Sequence, residues 1–246
     1  MADPRFYCPE PISARQTLVL PESVAHHIRV RRLAAGSLII LFDGRGGELP
    51  GVLDFKGKNA VVSLMDLRPV EHELAGEICL FQGLPAGDKM DWVIEKAVEL
   101  GVSRLVPISA QRSILKLSGP RLEKRLAHWQ GIIEAASEQC GRNRLMQICP
   151  PQALEDALTA PNIGDRLLCD PGAAEDLEAH LANPLSKART ERALTLLVGP
   201  EGGWSPEELA QCTRHQAQSI RFGTRVLRTE TAGLALAAAA TALLRW

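Results

Sequence analysis

The 246-residue chain has an ordinary globular composition, with 46% hydrophobic residues, 23% charged residues and a net charge of −1. This balance excludes disordered and collagen-like classes and gives no overall attraction for a polyanion. Six scattered cysteines without a C-x-x-C pair argue against a zinc site and a disulfide framework, so we expect no metal.

The N-terminal "MADPRFYCPEPI" lacks the apolar core of a signal peptide. The longest apolar run, residues 232–244, is too short to cross a bilayer and predicts a buried helix instead. We therefore expect a cytoplasmic protein without membrane contact.

The first 70 residues carry β signals. Short β-rich runs are broken by glycine turns at Asp43-Gly44, at Gly46-Gly47 and at Gly57, which is typical of a meander or a small barrel. The glycine-rich "DGRGGE" has the composition of a phosphate-binding loop, but no helix follows it, so a hairpin turn is favoured. Residues 1–70 are predicted to form a small β domain.

From Glu77 onward, predicted strands alternate with predicted helices, which indicates a mostly parallel sheet covered on both faces. An apolar face within residues 121–142 predicts a long helix that Gly141 ends. The second domain is predicted to span 71–246, with strands at 78–82, 104–108, 166–170, 194–198 and 219–222.

The stretch "LVGPEGGWSPEELA" (197–210) predicts a strand, a tight turn and a helix. Ser205 has the position of a helix N-cap, Pro206 that of the first helical residue, and Glu208 that of the capping-box partner. Gly202 and Gly203 allow positive φ and leave space for a ligand. A ligand-binding turn and a rigid strand–helix connection both fit these residues.

The cluster "RTET" (228–231) opens the last predicted helix. Its threonines and glutamate are ordinary capping chemistry, but Arg228 places a cation at the positive end of a helix dipole. We therefore expect an anionic partner for Arg228, either within the protein or in a ligand. Walker A, G-x-S-x-G, H-E-x-x-H and G-x-G-x-x-G motifs are absent from the chain.

Three segments, "KMDWVIEKAVELGV", "LVGPEGGWSPEE" and "FGTRVLRTETA", together resemble the SPOUT superfamily of knotted S-adenosylmethionine-dependent RNA methyltransferases. "PRFYCPEP", "HHIRVRRLAAGSLIILFDGRG" and "EQCGR" narrow the resemblance to the RsmE family of 16S rRNA uridine-N3 methyltransferases. The chain departs from the family pattern at Arg31, where Leu is usual, and at Ser37, where Asp is usual.

The resemblance implies an α/β fold in which a C-terminal SPOUT domain with a trefoil knot follows a small N-terminal PUA-like, RNA-binding β-barrel. It also implies that three loops hold the cofactor S-adenosylmethionine. Carried over residue by residue, these cofactor-binding positions are Leu168, Cys169, Asp170, Gly199, Pro200, Glu201, Gly202, Gly203, Phe222, Gly223, Arg225, Val226, Leu227 and Arg228.

Methylation of uracil N3 needs removal of a weakly acidic proton, and hence a base or a stabilised uracil anion. Glu230 and Glu201 are candidate bases, although Glu201 fits the role of holding its loop equally well. Arg228 or Arg225 could neutralise charge on the uracil oxygens. The uracil must also leave any pairing partner. Basic and histidine residues expected to contact RNA are Arg5, His26, Arg29, Arg31, Arg32 and Arg45.

The partners that the resemblance implies are 16S rRNA, within the assembled small ribosomal subunit, and a second copy of the chain bound through the knot region and the C-terminal helix. Two alternatives remain open. One is a SPOUT ribose 2′-O-methyltransferase acting on tRNA or rRNA. The other is a non-catalytic RNA-binding assembly factor, which the two intact glycine-rich turns disfavour.

Overall fold

The structure, a computed structural model, describes residues 3–115, 117–160, 164–183 and 193–246. It contains two compact units. Unit 1 holds the described residues up to Glu73 together with Glu134–Leu145, and unit 2 holds Leu74–Ile133 and Met146–Trp246. The division into functional domains 1–70 and 71–246 stays a prediction.

Unit 1 is built on a mixed five-stranded sheet in the order β1-β3-β4-β5-β2, in which only the β1–β3 pair is parallel. The glycine-rich segment between β3 and β4 and the Gly57 turn between β4 and β5 are both hairpin connections, as predicted. The elements are β1 (Arg5–Tyr7), β2 (Thr17–Val19), α1 (Glu22–Val30), β3 (Leu38–Phe42), β4 (Leu49–Lys56) and β5 (Asn59–Leu64).

Helix α1 corrects the purely β interpretation of this region. Val24, Ala25 and Ile28 of α1 are buried in a core that also contains Phe6 and Val62. These three apolar residues cover little more than one turn, so the helical period is too short to stand out from the surrounding polar residues.

Unit 2 contains a six-stranded sheet in the order β11-β9-β10-β6-β7-β8, with every described pairing parallel. The five predicted strands are confirmed with small shifts at their ends. The central strands β6 and β10 are buried along nearly their whole length, as expected for a sheet covered on both faces. The strands are β6 (Glu77–Gly83), β7 (Arg104–Ile108), β8 (Gln147–Ile148), β9 (Asp165–Cys169), β10 (Ala193–Val198) and β11 (Gln218–Ile220).

Helices follow the strands of this sheet, and the C-terminal helix packs against α2, α5, β6 and β10. The helices are α2 (Lys89–Glu99), α3 (Gly119–Cys140), α4 (Leu154–Thr159), α5 (Leu177–Ala182), α6 (Pro206–Arg214) and α7 (Thr229–Leu244). The long helix predicted from its apolar face is confirmed as α3, which is followed by Gly141 at φ +91°. In the described parts of the chain, no helix combines the length and apolarity needed to span a membrane.

Candidate functional site

A cavity of about 640 Å³ lies in unit 2, beside the carboxyl ends of β9 and β10. That edge of a parallel sheet is where ligands commonly bind. Its wall comes from the segment after β9, the turn after β10 and the N-terminal end of α7 with the residues before it. The lining residues are Cys169, Asp170, Pro171, Val198, Gly199, Pro200, Glu201, Gly203, Trp204, Leu209, Val226, Leu227, Arg228, Thr229, Glu230 and Ala232.

The turn after β10 is held rigidly between strand and helix. The Ser205 hydroxyl accepts a hydrogen bond from the Glu208 backbone N–H at 3.1 Å, and the Glu208 carboxylate accepts one from the Ser205 N–H at 2.8 Å. The predicted capping box is therefore confirmed, with Pro206 in the first turn of α6. Within the turn, the Gly203 N–H donates to the Pro200 carbonyl at 2.8 Å.

The two adjacent glycines of this turn have different surroundings. Gly203 has φ +67° and lines the cavity, and a Cβ added to it would meet no atom within 4 Å. Gly202 lies outside the lining, where an added Cβ would approach the Arg112 Cβ to 3.0 Å. Arg112 also donates to the Gly202 carbonyl at 3.0 Å. Gly203 therefore leaves open space at the cavity, whereas Gly202 packs against its own chain.

The first residue of α7 ties the helix to this turn. The buried Thr229 hydroxyl donates to the Gly199 carbonyl at 2.5 Å and accepts from the Gln82 side-chain amide at 2.9 Å. Arg228, the preceding residue, is exposed and lines the cavity. No described side chain forms an ion pair or hydrogen bond with its guanidinium, so the anionic partner expected for Arg228 is not found among the described residues.

Glu201 and Glu230 meet at the ammonium group of Lys89. Nζ of Lys89 lies 3.0 Å from Oε1 of Glu201 and 3.4 Å from Oε2 of Glu230, and the Ala86 N–H donates to Glu201 at 3.1 Å. Burial raises the pKa of Glu201, but hydrogen bonds from its own backbone N–H, Lys89 and Ala86 outweigh this and lower the pKa. The hydrogen bond to Glu201 is the largest cause that raises the pKa of Lys89.

Sequence reasoning missed Lys89. The residue begins the segment "KMDWVIEKAVELGV", which entered the predictions as a helical stretch and as part of the family resemblance. The available signal was the position of Lys89 at the start of a helix that follows the predicted strand 78–82. Because parallel strands end at the same edge of the sheet, a residue there lies near the other loops of that edge.

Not all predicted cofactor positions line the cavity. Leu168 is buried within β9, and the space beside Gly202 is taken by Arg112. Phe222, Gly223 and Arg225 are also outside the lining, and the Gly223 N–H donates to the Asp176 carboxylate at 3.2 Å. The other predicted positions are in the wall: Cys169, Asp170, Gly199, Pro200, Glu201, Gly203, Val226, Leu227 and Arg228.

In unit 1, Arg5 is enclosed by its own chain and has only 13% of its side chain exposed. Its guanidinium lies 2.5 Å from the Glu48 carboxylate and 2.6 Å from the Asn143 side-chain oxygen, and stacks 5.1 Å from the Phe42 ring centre. These contacts satisfy the charge of Arg5 internally and leave little of it for an external phosphate.

The other predicted RNA-contacting residues are exposed: His26, Arg29, Arg31, Arg32 and Arg45. Four of them lie in the second half of α1 or directly after it. Arg29 forms an ion pair with Glu22, and the guanidinium of Arg31 lies 5.5 Å from the Phe6 ring centre. Arg29, Arg31 and Arg32, with His26 one turn earlier, form a basic surface at the C-terminal end of α1, whereas Arg45 stands in the β3–β4 turn.

Both parts of the chain match family models of RNA methyltransferases. A family model for the RNA methyltransferase domain matches residues 72–241, and one for the RNA methyltransferase PUA domain matches residues 20–63. The small-subunit ribosomal RNA methyltransferase E of Bacillus subtilis is 30% identical over 216 residues, which cover 87% of this chain and 84% of the relative. Its Mycobacterium tuberculosis counterpart is also 30% identical, over 90% of this chain and 84% of its own.

Solved structures agree with these relatives. The ribosomal RNA small subunit methyltransferase E of Neisseria gonorrhoeae, bound to S-adenosylmethionine, is 36% identical, with 98% of both chains covered and a TM-score of 0.90. A Legionella pneumophila methyltransferase in complex with the same cofactor is 28% identical, with the same coverage and TM-score. The chain belongs to the ribosomal RNA small subunit methyltransferase E family, which confirms the resemblance to RsmE.

Proposed function

We propose that this protein transfers a methyl group from S-adenosylmethionine to N3 of a uridine in 16S rRNA, within the assembled small ribosomal subunit. The observation that carries the proposal is Arg228, an exposed cation without a described partner in the wall of a nucleoside-sized cavity. Cavities of about 300–1,000 Å³ are the usual size for small-molecule and cofactor sites.

The cavity lining suits S-adenosylmethionine. Val198, Val226 and Leu227 provide apolar surface for an adenine ring, and the open side of Gly203 lets a ligand approach the backbone. Asp170 places a carboxylate in the wall for the positive groups of the cofactor. When bound, this cofactor supplies a methyl group on a sulfonium, ready for an in-line displacement.

Three charged residues of the wall have different roles in the proposed reaction. Arg228 stabilises negative charge on the uracil oxygens as N3 loses its proton. Glu230 is the candidate base, and because its Oε2 is buried beside Lys89, Oε1 is the atom that remains to accept the proton. Glu201, with its lowered pKa and three hydrogen-bond donors, suits the role of holding its loop better than that of a base.

We assign RNA contact to the basic surface of unit 1. Exposed arginines at 29, 31 and 32, with His26 on the same helix, would neutralise backbone phosphates and release counterions. Arg45, in the β3–β4 turn, is also exposed and remains a predicted RNA contact. Arg5 is left out of this set because Glu48 and Asn143 already hold its guanidinium.

We also propose a homodimer formed through α7. Thr231, Ala238 and Ala242 are exposed on this helix at steps of seven and four residues, which places them on one face. Small residues allow two helices to approach closely, and the family resemblance implies dimerisation in this region. Sedimentation at micromolar concentration should give a dimer, and a monomer would contradict the proposal.

The function is tested with small ribosomal subunits from a strain that lacks this methylation. The protein and labelled S-adenosylmethionine are added, the rRNA is digested, and the modified nucleoside is identified by mass spectrometry. We expect 3-methyluridine. A 2′-O-methylated nucleoside would overturn the assignment to N3, and the absence of any cofactor binding by calorimetry would overturn the proposed enzyme altogether.

A further inference from the structure

The ammonium group of Lys89 contacts two acidic residues of the cavity wall in unit 2. Lys89 begins α2, yet its ammonium group reaches two carboxylates of the cavity wall that are 29 residues apart in sequence, Glu201 and Glu230. The side chains of Lys89 and Glu201 are each 34% exposed, and that of Glu230 is 17% exposed. The three residues connect the beginning of α2, the turn after β10 and the first turn of α7.

We propose that Lys89 is a positioning residue for methyl transfer. Its ammonium group holds the carboxylates of Glu201 and Glu230 next to each other and thereby fixes the cofactor-binding wall. The inference rests on the proposed function and adds a residue that does not itself line the cavity.

Glu201 and Glu230 would repel each other without the ammonium group of Lys89. Both carboxylates lie within 3.4 Å of one nitrogen, and without that cation two negative charges would face each other in a partly buried site. Oε2 of Glu230 is buried and makes no hydrogen bond, so the ion pair with Lys89 is its only described favourable polar contact. Removal of the ammonium group therefore leaves a buried carboxylate oxygen without compensation.

Repulsion between the two carboxylates would act on two different parts of the cavity wall. Glu201 belongs to the Pro200–Gly203 turn, and Glu230 belongs to the first turn of α7, beside Arg228. Separation of the two carboxylates would pull these two parts of the wall apart, although the Thr229–Gly199 hydrogen bond still joins them. Arg228 and the cofactor would then meet the uracil in a less favourable geometry.

The test replaces Lys89 with Met, which keeps a long apolar stem and removes the charge. Lys96 provides a matched control, because it lies on the same helix and also pairs with two glutamates, Glu95 and Glu99, both at 2.7 Å. We expect Lys89→Met to weaken S-adenosylmethionine binding by about five- to tenfold and to slow single-turnover methylation at saturating cofactor by a similar factor. Lys96→Met should match wild type.

Two further measurements distinguish positioning by charge from simple packing. In Lys89→Met, cofactor affinity should recover as the pH falls from about 8 to about 5, because protonation of one carboxylate removes the repulsion. The double variant Lys89→Met with Glu201→Gln should recover affinity at neutral pH for the same reason. Lys89→Arg should retain most of the wild-type affinity because it keeps the cation.

The outcomes separate the two proposals. If wild type neither binds the cofactor nor methylates rRNA, the proposed function fails. If wild type does both but Lys89→Met behaves like Lys96→Met, the inference about Lys89 fails and the function stands. A loss in Lys89→Met that neither low pH nor Glu201→Gln relieves would also overturn the inference, because it would reflect lost packing.

Discussion

Two glycine-rich turns, 43–47 in unit 1 and 199–203 in unit 2, are alike in composition and differ in what lies beside their glycines. At Gly46, an added Cβ would come within 2.2 Å of the Glu71 carboxylate and 2.4 Å of the Arg144 guanidinium. At Gly203, an added Cβ would meet nothing within 4 Å. The first turn is filled by side chains of its own chain, and the second borders open space.

The difference shows why glycine content alone does not identify a ligand site. Glycines in both turns adopt positive φ, so both turns require glycine for their backbone conformation. Only the second turn combines an open glycine with an unpaired cation, Arg228, in the same cavity wall.

The largest effect is expected for Arg228→Ala. If the cation beside the open turn stabilises uracil as it loses its proton, the single-turnover methylation rate should fall on the order of a hundredfold or more. The rate should recover partly at higher pH, where uracil loses its proton without help, and calorimetry should give nearly unchanged cofactor affinity. A variant that instead loses cofactor binding but keeps its rate at saturating cofactor would make Arg228 a cofactor-binding residue.

The second prediction compares the same substitution at two glycines with nearly equal positive φ. Gly203→Val should lower S-adenosylmethionine affinity by about tenfold or more, because it adds a branched side chain at φ +67° inside the cavity. Gly57→Val is the control, since Gly57 has φ +65° and equally open surroundings in the β4–β5 hairpin. Calorimetry should show normal affinity for the control. Equal affinities in both variants would contradict the assignment of the open turn.

A third prediction concerns the different tasks of the two units. Arg31→Ala with Arg32→Ala should weaken RNA binding and reduce the salt slope, log K against log [salt], by about 1.4–1.8, because two fewer counterions are released. Cofactor affinity should not change. The control is Arg15→Ala, which removes an exposed arginine of unit 1 that pairs with Asp66. An unchanged slope in the double variant would place the RNA-binding surface elsewhere.

The smallest effect is expected at His180, which is 4% exposed. Nε2 of His180 lies 3.1 Å from Asp165, and Nδ1 lies 3.3 Å from Glu175. The hydrogen bond to Asp165 raises the pKa of His180 most, Glu175 raises it further, and burial opposes both. Stabilisation by the protonated ring is therefore complete below the ordinary pKa of about 6.5 and is lost as the pH rises through the raised value.

Denaturant unfolding at several pH values checks this expectation. The free energy of unfolding of wild type should decrease above pH 6.5 more than that of His180→Gln, which has no titrating ring. Parallel curves for wild type and His180→Gln would show that His180 contributes no linked stability.

Local sequence signals predicted the elements that depend on neighbouring residues. The capping box at Ser205 and Glu208 follows from a spacing of three residues, and the end of α3 follows from a glycine after a periodic apolar face. Helix α1 was missed because its apolar face is brief. The resemblance, rather than periodicity, identified the family.

Properties that depend on distant contacts could not be predicted in this way. Gly202 was expected in the cofactor wall, but Arg112, 90 residues away in sequence, lies against it. Arginine side chains are usually exposed, so Arg5 was expected to contact RNA. In the structure, Glu48 and Asn143 bind its guanidinium. The contacts of Lys89 with Glu201 and Glu230 form only when the fold brings α2, the turn after β10 and α7 together.

The hydrogen bond from Thr229 to the Gly199 carbonyl, supported by Gln82, has a consequence for how the protein folds. It joins chain segments as far apart as residues 82 and 229. Contacts of such long sequence separation form slowly, because a large loop must close before they give any stabilisation. Capacity to bind the cofactor should therefore be one of the last properties to return during refolding, after helix signals recorded by circular dichroism have reached their native values.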